Sequence, residues 1–387
     1  MTTCDRIPPR RGSHARRAAW LGLALAAGTA AAVTGGFRIA VPDYAWSFPR
    51  DHWAHEGYRT EWWYFTGHLD SEGPEAGRFG YQFTLFRIGL LPARPPFRSG
   101  WAASGVAMGH AAVSDLERRE HRFSETVRRE VPLLASFGSY PDPEIARVQG
   151  PPGTSGEWTL RWNGDGFDLE ARDDARRLRL SLSTRPERPA VLQGPNGLSR
   201  KGNAPGAASQ YYSVTRLATR GTVVLDGREF RVAGESWMDR EFGSSQLSEE
   251  QVGWDWFALR LDDGCDLMLY ALRDRRGEAG VRNGSLVRPG GGVRLLEAAD
   301  WSVRPLSTWT SGVTGATYPA RWRIEIPSEG LALVVVPDFP EQENVARTPR
   351  APFYWEGSVS VLDGAGGRAG RGYVELTGYG ERNRPPV

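Results

Sequence analysis

The chain is poor in the features that mark the commoner enzyme classes. Its 387 residues include only two cysteines, Cys4 and Cys265. Neither forms a CxxC pair, no HExxH occurs, and the six histidines do not gather at metal-ligand spacing. A structural zinc site is therefore excluded, and no cofactor is implied. Lysine is rarer still: Lys201 is the only one, so positive charge is almost all arginine, dispersed along the chain. With a net charge of +2 and no basic stripe, the chain lacks an electrostatic footprint for nucleic acid. No G-x-S-x-G element supplies a serine nucleophile. The stretch "GPNGLSRKGN" resembles a phosphate loop only superficially, because it lacks the G-x-x-x-x-G-K-[ST] order and a strand follows it.

What is present begins with a targeting segment. Arginines 6, 10, 11, 16 and 17 precede "AAWLGLALAAGTAAAV", an uncharged apolar run with small residues around Ala30 to Ala32. Residues 1–36 read as a signal peptide or, since the run is almost long enough to cross a bilayer, a retained membrane anchor. Either reading puts the folded part outside the cytoplasm, in the periplasm or secreted. Cleavage would leave Cys265 alone, without a disulfide partner.

Beyond residue 40 no long amphipathic helical pattern occurs. Period-2 segments recur instead, among them "FGYQFTLFR", "LRLSLST", "YYSVTRL", "WDWFALRL", "RWRIEIP" and "GYVELTGY". They are separated by Gly, Pro and Asp turns, which predicts an all-β protein of barrels or sandwiches. Fifteen tryptophans suit either a large aromatic core or a surface for apolar ligands.

Two hairpins stand out. In the first, pairing Leu69 with Phe79 sets Phe65 against Phe83, Trp63 against Leu85 and Gly67 under the ring of Tyr81. The same register brings Glu61 opposite Arg87, so Glu61 is expected to be structural. In the second, Asp263-Gly264 predicts a two-residue turn. That turn sets Leu259 against Met268, Phe257 against Tyr270 and Asp255 against Leu272, with Arg273 on the other face. Asp255 thus lies on an apolar face without a predicted partner, where desolvation would raise its pKa. The repeat of acid-Trp-aromatic half a chain apart suggests two related barrels, over 37–235 and 236–387.

The candidate ligand-binding surface is Trp63 in the first hairpin, Trp254, Trp256, Phe257 and Tyr270 in the second, and Tyr212. His110 sits on the Val106, Met108, Ala112 face, as a core histidine or a general base. His52 and His55 are placed to plug or line a barrel end. "SWMDREFGSS" reads as a loop at a barrel mouth, with Asp239 and Glu241 as acids and Arg240 expected to lower the pKa of Asp239. Glu356 and Glu375 are secondary candidates.

With these segments assembled, the chain resembles the AttH and carotenoid 1,2-hydratase (hydroxyneurosporene synthase) family. The similarity runs through "FPRDHWAHEGYRTEWWYFTGHL", "GYQFTLFR", "MGHAAVSDL", "GLSRKGNAPGAASQYYSVTRL", "GESWMDREFGSS", "QVGWDWFALRLDDG", "YWEGSVSV" and "GRGYVELTGY". The resemblance implies two consecutive lipocalin-like antiparallel β-barrels and a preference for hydrophobic small molecules. It is to the AttH-like branch, because Arg240-Glu241-Phe242 stands where the hydratase branch carries His-Asn-Trp. That branch implies a periplasmic or secreted role beside a membrane export system. Hydration of an isolated double bond needs a neutral carboxylic acid in a dry pocket and aromatic faces for the cation. Asp255 or Asp239 would supply the acid; a non-catalytic lipid carrier is the alternative.

Overall fold

The computed structural model describes residues 33–73, 77–93, 95–96, 99–245, 247–346, 353–380 and 383. The N-terminal apolar run as far as Ala32, expected to be a targeting segment, and Cys4 lie outside the described residues. Alternation of apolar and polar residues is realised as two large antiparallel sheets. In the first, the strands follow the order 120–129, 105–115, 78–89, 60–71, 228–243, 208–225, 178–186, 167–173, 157–162, 144–149 and 135–137. Its ends approach each other: Thr126 Oγ1 donates to the Gln149 carbonyl at 2.8 Å and Ser124 Oγ to Asp173 at 2.6 Å. This sheet is a nearly closed barrel. The second sheet, ordered 293–296, 279–287, 266–274, 251–261, 368–376, 354–363, 331–337, 317–326 and 302–310, is a half-barrel. In both, the first strand of an N-terminal hairpin pairs with the last strand of its sheet. The stretch 134–150, whose sequence hints at a helical turn, forms the short strands Ala135–Phe137 and Glu144–Gln149.

Large aromatic residues fill the interiors. Trp53, Trp63, Phe65, Trp158, Phe167 and Tyr212 pack inside the first barrel, and Phe257, Trp301, Tyr318, Trp322 and Trp355 inside the second. The first barrel's end is plugged by the 50–55 segment, where His52 Nδ1 meets Tyr212 Oη at 2.6 Å and Trp63 Nε1 donates to the His52 carbonyl.

The first hairpin has the expected register throughout: Leu69 pairs with Phe79, Gly67 with Tyr81 and Glu61 with Arg87. The second does not. Its turn contains three residues, Asp262 to Gly264, closed by a Leu261 N–H bond to the Cys265 carbonyl, with Gly264 at φ +87°. The extra residue slips every pair by one, so Leu259 faces Leu267, Phe257 faces Leu269 and Asp255 faces Ala271. Because side chains alternate along a strand, that slip moves Arg273 onto the face of Asp255.

The expected boundary at 235/236 also shifts. "GESWMDREFG" is no loop but the end of the strand Arg228–Gly243, and the next sheet starts with the strand Gln251–Leu261. Met238, Arg240 and Phe242 face Phe65, Trp63 and Glu61 inside the barrel, whereas Trp237, Asp239 and Glu241 share the outer face of Thr66, Tyr64 and Trp62.

The outer faces of strands Thr60–Ser71 and Gln251–Leu261 meet each other. Tyr64 packs edge-on against Trp256 with ring centroids 5.1 Å apart, inside a third apolar cluster that includes Tyr211, Trp237, Met268 and Tyr270. At one side of this seam Asp266 is fully buried and receives Arg216 and Thr215 from a strand of the first sheet, at 2.8 and 2.8 Å, and Arg188 from a connection of the same barrel, at 2.7 Å. An unpaired charge there would be prohibitive, so these contacts help to fix how the sheets dock.

Candidate functional site

Two mostly apolar compartments lie in this seam, apart from a more polar cavity lined by His68, Asp70, Arg78, Asp338 and Arg371. One compartment, about 730 Å³, is lined by Trp62, Tyr64, Phe86, Tyr211, Trp254, Trp256, Tyr270 and Leu272, with Lys201, Asp239, Glu241 and Glu375 as its charged groups. A second, about 700 Å³, is lined by Phe86, Ile88, Met108, Phe353 and Tyr354, with His110 and Glu125. Trp62, Phe86, Trp254 and Glu375 border both. Each is lined mostly by apolar and aromatic side chains with a few polar groups, the character of a small-molecule site.

The strand period decides which aromatic residues are available. Trp62 and Tyr64 face the cleft, whereas Trp63, expected as a ligand contact, points into the first barrel. There its ring lies under Arg240 at 3.9 Å. Tyr212 and Phe257 are likewise core residues, and Tyr211 takes the place expected of Tyr212. Trp254, Trp256 and Tyr270 line the cleft.

The carboxyl groups sort in the same way. Asp255 is not the unpartnered acid: Arg273 Nε binds it at 2.8 Å, Tyr379 donates to both its oxygens, and it lines neither compartment. Burial pushes its pKa up, with Arg273 and then Tyr379 opposing. Asp239 is the buried acid of the cleft. Ser213 Oγ and Trp237 Nε1 donate to Oδ1 at 2.5 and 2.7 Å, and Tyr211 donates to Oδ2. Burial pushes Asp239 up to about 7, with the Glu241 charge adding to the effect and the three hydrogen bonds resisting it. Arg240 does not lower it, because the neighbouring strand position points to the other face. It pairs there with Glu61 at 2.5 Å.

Glu241 holds Lys201, whose Nζ is 2.8 Å from Oε1, and accepts a bond from Ser209. Burial works against the ammonium, but Glu241 outweighs it and holds Lys201 above its ordinary pKa. Nζ also lies 4.4 Å above the Tyr270 ring, a cation–π contact. Glu375, half-buried, receives Trp254 Nε1 at 3.0 Å. Burial raises it to about 7, and Asp239 and Glu241 add to the rise. Directly across the ladder from Glu375 is Glu356, wholly buried, bonded to Tyr64 Oη and with Oε2 lacking a hydrogen-bond partner. Burial, then the Glu375 charge, hold Glu356 well above the carboxylate range.

His110 does not meet Asp239; it belongs to the second compartment, where Nδ1 contacts Tyr354 Oη at 2.6 Å. The residues missed by inspection of the sequence are Trp62, Tyr64, Tyr211 and Lys201. Lys201 carried a signal, as the sole lysine of the chain.

A family model described as AttH-like matches residues 39–379. Among solved structures, a Nitrosomonas europaea protein described as AttH is 30% identical, with a TM-score of 0.77 over 89% of this chain and 100% of that one. Kievitone hydratase from Nectria haematococca is 15% identical, with a TM-score of 0.62 over 89% of this chain and 94% of that one, and so shares the fold. No curated protein sequence matches the chain.

Proposed function

The chain belongs to the AttH-like family, and from that premise we propose that its inter-barrel cleft binds an apolar, isoprenoid- or lipid-like alkene and adds water to it. The observation that supports this most directly is Asp239, a carboxyl titrating near 7 at the wall of an aromatic cavity. An acid with that pKa is half protonated at neutral pH, as general-acid catalysis requires. The same fold serves the hydratase that acts on kievitone.

Oδ1 accepts from Ser213 and Trp237, so the proton of neutral Asp239 sits on Oδ2; the bond to Tyr211 then reverses, with Oδ2–H donating to Tyr211 Oη and the Tyr211 hydrogen turned to the alkene. Trp256 Nε1 donates to Tyr211 Oη at 3.2 Å. As the Tyr211 hydroxyl proton passes to the alkene carbon, Asp239 replaces it, and the new C–H bond leaves a cation on the adjacent carbon. Trp62, Trp254 and Trp256 present π faces to that cation. Water then attacks the cation, and Glu375, in its ionised form, takes the surplus proton.

The test is incubation with isoprenoid alkenes in isotopically labelled water. A labelled tertiary alcohol is expected from the wild type and none from Asp239→Asn, with the apolar ligand still bound by both. Turnover should fall as pH rises above about 7. Full activity in Asp239→Asn would refute the assignment.

A second reading is a non-catalytic carrier working beside a membrane export system. The saturated hydrogen bonding of Asp239 favours it, and tight binding with no conversion of any alkene would establish it. Under either reading the N-terminal apolar run argues for action outside the cytoplasm.

A further inference from the structure

The second compartment holds a polar element that the proposed chemistry does not use. A buried chain of side-chain hydrogen bonds leads to it across both sheets. His121 Nε2 meets Asn344 Oδ1 at 2.8 Å, and Asn344 Nδ2 donates to Gln82 Oε1 at 2.9 Å. Gln82 Nε2 donates to Tyr354 Oη at 3.0 Å, and Tyr354 Oη meets His110 Nδ1 at 2.6 Å. Each amide gives its N–H to the next acceptor, and Tyr354 Oη, accepting from Gln82, has its own hydrogen to give. Turned to His110 Nδ1, that hydrogen places the proton of a neutral His110 on Nε2, the arrangement the anchor requires.

Nε2 is buried and has no hydrogen-bond partner. Glu125 Oε2 is 3.6 Å away, too far for a direct bond, and both side chains line the compartment. The remaining exposed wall is largely apolar, with the paired Glu61 and Arg87 and with Glu375 at its border. An unused donor beside a carboxylate at the edge of an apolar chamber is complementary to one chemical group, a hydroxyl that accepts from nitrogen and donates to oxygen.

We infer that His110 and Glu125 together anchor a ligand hydroxyl, so that the ligand is a long apolar molecule with a hydroxyl at one end and its reacting double bond at the other. This rests on the reading that the cleft is the ligand site. Trp62, Phe86 and Trp254 stand between the two compartments, so one molecule spanning both passes these side chains, its hydroxyl end held while its far end reaches Tyr211. His110 is here a positioning residue, which accounts for its separation from Asp239.

Equilibrium dialysis of the full chain with 4-ethylphenol, ethylbenzene and 4-octylphenol tests the anchor. The wild type should bind 4-ethylphenol about tenfold more tightly than ethylbenzene, the value of one good hydrogen bond to a charged group. His110→Phe should erase that preference while ethylbenzene binds as before, and Glu125→Gln should reduce it several-fold. 4-Octylphenol should bind more tightly than 4-ethylphenol, and Leu272→Phe, which narrows the first compartment, should cancel only that gain. Equal affinity for the phenol and the hydrocarbon, or a preference that survives both His110→Phe and Glu125→Gln, would overturn the anchor, as would an equal effect of Leu272→Phe on both phenols. Such results leave alkene hydration through Asp239 standing. Failure of all three probes to compete with a cleft-bound alkene would overturn the anchor alone, whereas an alkene bound elsewhere would remove the cleft as the ligand site.

Discussion

Arg273 Nε lies 2.8 Å from Asp255 Oδ1, and the guanidinium stacks over Tyr379 at 3.8 Å from the ring centroid. This pair ties the second barrel's first hairpin to its C-terminal segment and leaves Asp255 outside the cleft chemistry. Asp255→Asn is expected to cost on the order of 3 kcal/mol, because it strands a largely buried guanidinium. Ligand binding and turnover should persist in the folded fraction. A chemical denaturation curve beside a binding isotherm checks both, and lost binding in a stable variant would contradict the assignment.

Glu61 is the opposite kind of acid. Burial alone would raise its pKa, but Arg240, then His55 and Arg87, reverse the sign and hold it well below the carboxylate range. Glu61→Gln should be nearly as damaging as Glu61→Ala, about 3–5 kcal/mol, since either leaves the buried Arg240 guanidinium without its carboxylate and Arg87 with Glu130 alone, at 3.5 Å. Small and equal melting shifts would show that the cluster is not what holds this barrel end.

The two acids predict opposite pH dependences of stability. Glu61, with a depressed folded pKa, contributes stability that is complete above about 4.5 and lost as pH falls. Asp239, raised from 3.8 to about 7, binds its proton more tightly in the folded state, so stability falls as pH rises from about 4 to 7 and is level above that. Asp239→Asn should flatten this slope across that window. Denaturation series from pH 4 to 8 on the two proteins measure it directly.

At Gly67 an added Cβ would lie 2.5 Å from the Glu235 carbonyl oxygen and 2.7 Å from the Tyr81 ring. Gly67→Ala should therefore cost about 1–3 kcal/mol through overpacking. Combining it with Tyr81→Leu should recover part of the loss, which a double-mutant cycle would detect. Strict additivity would show that the backbone contact alone is responsible.

Much of the fold was legible because its signals are local. Alternation along Thr60–Ser71 and Arg78–Gly89 set the first hairpin's register from Glu61–Arg87 to Leu69–Phe79. One residue in the Asp262–Gly264 turn was enough to misplace Asp255, since a register slip exchanges faces. "SWMDREFG" looked like a loop because its outward positions, Asp239 and Glu241, are charged. In the fold that outward face is a buried seam, which no period in the strand itself announces. For the same reason Trp62 and Trp63 could not be told apart by type. Both are tryptophans at adjacent positions, and only the docking of the second sheet makes one a core residue and the other a cavity wall.

The position of the cleft makes occupancy and domain docking a single equilibrium. Trp62, Tyr64 and Asp239 come from one sheet, and Trp256, Tyr270 and Glu375 from the other, so neither half can grip a ligand alone. Any bound molecule acts as mortar between two bricks, and separating the halves must first expel it. A fluorescent donor on one sheet and an acceptor on the other would register occupancy as resistance to being pulled apart, without reference to any reaction.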